Sequence, residues 1–468
     1  MISKGEFIDR ETELSILNKE WKEPGFRLVI VYGRRRTGKT RLLTHWLKKH
    51  EGILYSAAQL SYTLLSKEFS ETVGKMLGIY VNPNDMLRAI EELATTSKER
   101  LAIIIDEFQY IVEADQSFTS KLQRSIDTIL DKTNTVLILS GSSVSFFENE
   151  LLGYKAPLHG RRTSQIHLHP MRLLEASDFW PKMNPIEATK SYSIVGGTPA
   201  YLIHTLNAKN SIDVLQVVLK PGSILLEEAE NLLRQEMREP RSYASILKAV
   251  ATGRTRITEI SSTTGIDPRI VSKYASILEN LDILEIVYPL GKKKGSRIRI
   301  KDPYFLYYYK YITTLRNLVE TGYQEKAVEE AIKNLDIHTS QVFEQIVQTI
   351  IPDLHIIGYV KTPPYQIGPW WYKQYEIDII VREPGITTTF IETKWRDVTI
   401  KEAKIILREL ETKASKTGLQ SPENHYVLIA KSAKDCNRPM TQIDDHRALI
   451  DYSKTIPIIK QNKLTRKP

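Results

Sequence analysis

The sequence predicts an α/β chain of several domains, and three observations predict it. Between residues 7 and about 165, four nearly continuous Val/Ile/Leu runs alternate with polar helical stretches, as strands buried on both faces of a parallel sheet do. Residues 241–302 read as three helices followed by two short strands. After a further helical stretch, QYEIDIIV (374–381) and FIETKW (390–395) alternate apolar with charged side chains, the mark of half-exposed strands.

Composition narrows the class. At 468 residues the chain is too long for one core, and 41% hydrophobic with 26% charged residues is the balance of a globular protein. No apolar run reaches the ~18 residues of a membrane span, and MISKGEFIDR lacks the apolar centre of a secretory signal, so a cytoplasmic protein without membrane contact is expected. A single cysteine, Cys436, excludes an internal disulfide framework and a thiol–metal cluster within one chain, and fits a reducing compartment. The net charge of +9 permits a nucleic-acid partner without requiring one.

The four runs are RLVIVYG (27–33), GILYSAA (52–58), LAIIID (101–106) and TVLILSG (135–141). Directly after the first comes YGRRRTGKT, which holds G-x-x-x-x-G-K-T from Gly33 to Thr40 and leads into the helical RLLTHWLKK. In that strand-to-helix setting, Gly33 and Gly38 let backbone N–H groups wrap a phosphate at a helix N-terminus. Lys39 is then expected at the β- and γ-phosphates of ATP and Thr40 on Mg²⁺. The third run delivers Asp106 and Glu107 to a strand end, Asp106 for the Mg²⁺ shell and Glu107 to orient or polarise the attacking water. The fourth ends in hydroxyls, where Ser140 is either a γ-phosphate or water contact or an ordinary turn serine. In HGRRTSQI, Arg161 and Arg162 each read equally as an arginine finger or a solvated charge. Arg34 to Arg36 on the loop are expected to be exposed, for a partner, for nucleic acid or for solvation alone.

Taken in order, FIDRETEL (7–14), the phosphate loop, IIIDEFQY, LILSGSS, GRRTSQIHLHPM and GGTPAYL resemble the archaeal ATPase family of the STAND/AAA+ group. The resemblance covers about the first half of the chain. It implies an ATP core similar to that of origin-recognition ATPases, often followed by a winged helix. It also implies that Pro199 lies near adenine, and that Arg10 and Glu11 belong to a segment packing over the nucleotide. From the residues alone, 196–199 is a turn.

In the middle, YASILKAVATG, ITEISSTTG and RIVSKYASILENLDIL read as three helices, the last with Ile270, Val271, Ala275, Leu278 and Leu281 at helical spacing. EIVYPLGKKKGSRIRIKD then gives two strands around a basic tip, which completes the winged helix-turn-helix order. Residues 241–302 hold twelve Lys/Arg against six Asp/Glu. Arg269 and Lys273, with Ser272 and Ser276, are expected to face DNA from the third helix, and Lys292, Lys293, Lys294 and Arg297 to follow phosphates from the wing. The alternative is a protein-docking module.

In the last segment Glu376 and Asp378 share a strand face, and Glu392 and Lys394 share one in FIETKW. Asp378…Glu392-x-Lys394 is the arrangement of restriction-type nucleases, in which two carboxylates hold Mg²⁺ and a lysine positions or deprotonates water. Glu344, on SQVFEQIVQTII, is a further candidate acid. GPWWYKQYEIDII and FIETKW make residues ~303–455 resemble the C-terminal domain of unknown function found with archaeal ATPases, itself similar to the PD-(D/E)xK nuclease superfamily. No Pro-Asp dipeptide precedes the first strand, which departs from that pattern.

The expected organisation is an AAA+-like P-loop ATPase core (1–165), a helical lid (166–240), a winged helix-turn-helix (241–302), a helical linker (303–335), a restriction-endonuclease-like α/β domain (336–455) and a basic tail (456–468). The expected function is an ATP-hydrolysing, DNA-associated protein with a Mg²⁺-dependent nuclease domain. The alternative is an ATP-dependent switch that binds a protein partner and carries an inactive nuclease-like domain. A homo-oligomer is left open.

Overall fold

The computed structural model describes residues 7–78, 81, 85–360, 363–383 and 387–465. The chain forms two compact units, divided between Pro170 and Met171. Among the described residues no helix is long and apolar enough to cross a membrane.

The first unit is built on a parallel sheet of five strands, β1 (Arg27–Tyr32), β2 (Gly52–Ser56), β3 (Leu101–Asp106), β4 (Thr135–Gly141) and β5 (Ser164–His167), in the order β2-β3-β4-β1-β5. The four predicted runs are its first four strands, and every residue of β3 and β4 is buried. Val, Ile and Leu fill these strands because helices cover both faces. The fifth strand lacks such a run, and the predicted boundary at 165 cuts through it. Its pairing with Val29–Tyr32 of β1 carries the unit on to Pro170.

The second unit begins with helices and holds two sheets. Leu173 and Leu174, placed by the sequence in a lid, share one core with Val347 and Ile351 of helix Gln324–Ile356 and with Ile459. Hydrogen bonds join the same segments: Thr189 to Tyr452 at 2.9 Å and Ser193 to Thr339 at 3.1 Å. Three helices, Pro240–Ala251, Ile257–Thr264 and Pro268–Asn280, lead into an antiparallel pair, β6 (Leu284–Val287) and β7 (Arg297–Ile300). The third helix starts on Pro268 behind Asp267, whose carboxylate accepts from Arg269 N at 2.8 Å. It buries Val271, Ala275 and Leu278, but Ile270, assigned to its apolar stripe, is 43% exposed.

The 33-residue helix Gln324–Ile356 runs straight through the expected boundary at 335/336, because both of its halves have an apolar stripe to bury. Beyond it lies a six-stranded mixed sheet of β8 (Gln366–Tyr372), β9 (Tyr375–Arg382), β10 (Thr387–Val398), β11 (Glu423–Ala433), β12 (Met440–Gln442) and β13 (Arg447–Asp451), ordered β12-β13-β11-β10-β9-β8. Ile379, Ile391 and Trp395 pack on the side of helix Gln324–Ile356, while Ile377, Ile380 and Phe390 pack on the side of helix Ile400–Ala414. The segment expected as a loose tail is helical over Tyr452–Thr465, held down by buried Ile456 and Ile459. Residues 466–468 of that expectation lie outside the described residues.

Candidate functional site

The phosphate loop leaves the end of β1 and closes on helix Lys39–Leu47. Gly33 has φ 153°, and a Cβ there would sit 2.5 Å from Leu168 O, so no other residue fits. Arg36 (φ 71°) and Gly38 (φ 95°) turn the chain left-handed, which brings successive N–H groups to one side at the helix N-terminus. Lys39 is buried, and its Nζ donates to Gly33 O at 2.8 Å and Arg34 O at 3.1 Å, placing the ammonium against the loop it serves. Arg10, itself left-handed at φ 71°, donates to Thr37 O at 3.1 Å and His169 O at 2.8 Å, so the N-terminal segment is tied to the loop. Of the three loop arginines Arg34 is only 1% exposed, contrary to expectation; Arg35 donates to the Tyr110 hydroxyl at 3.3 Å.

Asp106 ends β3 beside this loop. Thr40 Oγ1 donates to its Oδ2 at 2.5 Å, and its Oδ1 accepts from Glu107 N at 3.0 Å. The next residue, Glu107, has φ 52°, a strained value for a side-chain-bearing residue, and its carboxylate accepts from Ser142 Oγ at 2.8 Å and Ser142 N at 3.3 Å, and from Gln109 Nε2. The hydroxyl that holds Glu107 is therefore that of Ser142, not Ser140. Ser140 Oγ is buried without a hydrogen bond among the described residues. Both serines stand in SGSS, two apart on one side of the chain, and the sequence offered no means of choosing between them.

The arginine-finger expectation fails within a single chain. Ser164 pairs with Val29, so Arg161 and Arg162 lie beside the start of β1, while the loop leaves its far end after Tyr32. At about 3.3 Å per residue, roughly 16 Å of strand separates them from the phosphate loop. Arg161 is also held by Asp127 through two bonds of 2.7 and 2.8 Å, and Arg162 donates to Leu152 O at 3.3 Å.

In the second unit, Pro199 opens helix Pro199–His204. Arg269, Ser272, Lys273 and Ser276 are exposed together on helix Pro268–Asn280. The basic hairpin is less free than expected. Leu290 N donates to Pro369 O at 2.8 Å on edge strand β8, and Trp371 Nε1 donates to Gly295 O at 3.2 Å. Lys292 Nζ lies 4.5 Å from the Tyr372 ring centre, and Arg297 stacks on Trp371 at 4.3 Å while bonding Glu376 at 2.8 Å. Lys293 and Lys294 remain exposed. The hairpin tip offers its own backbone donors and apolar Leu290, and the unpaired edge of β8 takes them up.

Asp378 and Glu392 lie on neighbouring strands, but each is already engaged. Asp378 Oδ2 accepts from Thr393 N at 2.7 Å and Thr393 Oγ1 at 2.8 Å; burial, and then the nearby Glu392 charge, push its carboxyl above the usual range. Glu392 is 7% exposed and bridges two ammoniums, Lys394 at 2.7 Å and Lys413 at 3.0 Å. Lys413, on helix Ile400–Ala414, was not singled out from the sequence; it comes from 21 residues away on a different element. Glu344 bonds Arg299 at 3.0 Å, yet burial holds its carboxyl up to about 7. Among the described residues, Glu344, Asp378 and Glu392 do not close to within 4.8 Å of one another, the spacing at which one ion would hold all three.

The sheet order, the loop between β1 and its helix, and the Thr40–Asp106 pair define a P-loop fold with the strand order of the AAA+ type. The resemblance to archaeal ATPases is borne out: residues 7–205 match the model of an ATPase domain found predominantly in Archaea, and residues 308–406 match a family of archaeal and bacterial proteins of unknown function. An uncharacterized protein of Methanocaldococcus jannaschii is 29% identical over 430 residues, covering 91% of this chain and 95% of its own. An uncharacterized ATP-binding protein of the same organism is 45% identical over 42 residues, 9% of this chain and 71% of its own. A Walker-type ATPase of Pyrococcus abyssi shares the fold at a TM-score of 0.50 and 21% identity, over 65% of this chain and 96% of its own.

Proposed function

We propose that this protein binds and hydrolyses Mg²⁺-ATP at Lys39, Thr40, Asp106 and Glu107, and that nucleotide state governs its engagement of DNA. The observation that carries the ATP reading is Thr40 Oγ1 at 2.5 Å from Asp106 Oδ2, with the Lys39 ammonium against the loop. A hydroxyl and a carboxylate side by side are hard oxygen donors and fit Mg²⁺, which would offset phosphate charge when bound. Within this chain, Lys39 orients the phosphates and the loop N–H groups wrap them. Glu107, placed by Ser142 and Gln109, holds the attacking water and takes its proton. Calorimetric ATP binding and phosphate release by wild type beside Glu107→Gln test this; hydrolysis undiminished in the variant would remove Glu107 from the chemistry.

The DNA reading rests on the exposed row Arg269, Ser272, Lys273 and Ser276, in the helix order of a winged helix-turn-helix, and on the +6 charge of residues 241–302. Loss of duplex binding in Arg269→Ala/Lys273→Ala is its test. Arg161 and Arg162 reach only a nucleotide held by a second copy, so a finger role and a homo-oligomer stand or fall together. Turnover by Arg161→Ala that no longer rises with protein concentration, as wild type would, is the supporting result.

A second reading, in which the nuclease-like domain binds rather than cleaves, is favoured by one observation. Lys394 and Lys413 already neutralise Glu392. Incubation of single- and double-stranded DNA with Mg²⁺ or Mn²⁺, with and without ATP, separates the two; cutting lost in Asp378→Ala supports the nuclease.

A further inference from the structure

The basic hairpin and the turn between β8 and β9 form one composite surface. Lys292 lies over Tyr372 at 4.5 Å and over Trp370 at 5.3 Å, and Lys373, at the tip of the β8–β9 turn, lies 5.4 Å from the same Tyr372 ring. Lys293 and Lys294 project beside them, exposed. Two rings on this stretch are open to solvent, Tyr372 at 49% and Tyr288 at 47%. Glu376, which faces Trp371 across β8 and β9, is paired with Arg297 at 2.8 Å and leaves the balance positive. A soluble fold gains nothing by holding lysines together around a half-exposed ring unless an anionic, flat-faced partner replaces the water there.

We infer that this surface binds single-stranded nucleic acid. The charge calls for phosphates and the open rings call for unstacked bases, a combination that a duplex does not offer because its bases are stacked inside. The surface is composite because the hairpin is docked: Leu290 N on Pro369 O and Trp371 Nε1 on Gly295 O bring the hairpin lysines to Tyr372. Along β9 from the same turn come Glu376 and then Asp378, so a strand held here is led toward the Asp378–Glu392 acids. The inference deepens the nucleic-acid reading above by adding a second surface, distinct from the Arg269–Lys273 helix.

The test is fluorescence anisotropy of the full chain with labelled oligothymidylate, oligouridylate and a duplex of equal length, and co-sedimentation with anionic vesicles. The expected result is tighter binding of single strands than of duplex. Tyr372→Ala should weaken single-strand binding about 5- to 150-fold, the worth of one stacked base, while Tyr372→Phe retains it. Lys293→Ala/Lys294→Ala should lower the log–log salt slope for single strands by about 0.7 per lost contact and leave circular dichroism unchanged. Unchanged single-strand affinity in Tyr372→Ala, an unchanged salt slope in the lysine pair, or binding of vesicles in place of oligonucleotides would each overturn the inference. Duplex binding that depends on Arg269 and Lys273 while Tyr372 and the lysines are silent overturns this inference alone; binding of no nucleic acid overturns both.

Discussion

Asp106 and Glu392 are both nearly buried carboxylates on β-strands, and they keep opposite company. Asp106 is met by a hydroxyl and a backbone N–H, Thr40 at 2.5 Å and Glu107 at 3.0 Å. Glu392 is met by two ammoniums, Lys394 at 2.7 Å and Lys413 at 3.0 Å. Neutral donors leave a carboxylate its charge, so the first site can still attract a cation. Two lysines cancel that charge, and a metal must displace them. Similar residue types at similar burial thus make one site open to a cation and another closed by its own side chains.

The comparison is broken most directly at the first site. Lys39→Ala should reduce ATP turnover about 10²- to 10³-fold, since it removes the ammonium that the loop holds against Gly33 O and Arg34 O. Glu107→Gln should keep ATP bound and slow hydrolysis about 10²- to 10⁴-fold, read by calorimetry and phosphate release. Neither should move the urea midpoint of the second unit.

Next comes pH, at the acids of the second unit. Glu344 is held at about 7 in the folded chain against 4.5 unfolded, so the folded state binds this proton more tightly. Its contribution to stability is then full below about 4.5 and falls as pH climbs to about 7, by at most about 3 kcal/mol. Urea midpoints at about pH 5 and about pH 8 should shift less in Glu344→Gln than in wild type. Equal shifts would place the titrating group elsewhere.

Glu392→Ala removes the acid between two lysines and should cost about 1–3 kcal/mol, with ATP turnover unchanged. Lys394, 37% exposed, can turn to water when its partner is altered, so Lys394→Ala should cost under about 1 kcal/mol. Cutting of DNA by wild type that either variant loses while staying folded would reopen the Glu392 site as catalytic. The smallest effect is expected at Arg297→Ala, where one partly exposed ion pair and one ring contact are lost. A change of about 1 kcal/mol or less, with faster amide exchange at Leu290, is the expected reading.

The sequence by itself determined the parts of this protein whose chemistry is local. Gly33 to Thr40 follows one strand and opens one helix, so spacing alone placed Lys39 and Thr40, and four apolar runs became four strands nearly residue for residue. Helix order over 240–280 was equally legible, since each helix carries its own apolar stripe and its own start. What only the tertiary structure decided was company between distant elements. β5 has no apolar run of its own and is a strand because β1 pairs with it. Arg161 is set at the wrong end of its sheet by that same register, and Ser142 rather than Ser140 grips Glu107 through the bend after β4. Lys413 closes Glu392 from another helix, and the hairpin cations dock on β8 because an open strand edge is there to receive them. Periodicity reports which face of an element is buried, but not which element will bury it; ion pairs and edge docking depend on that second choice, and nothing in one stretch of chain encodes it.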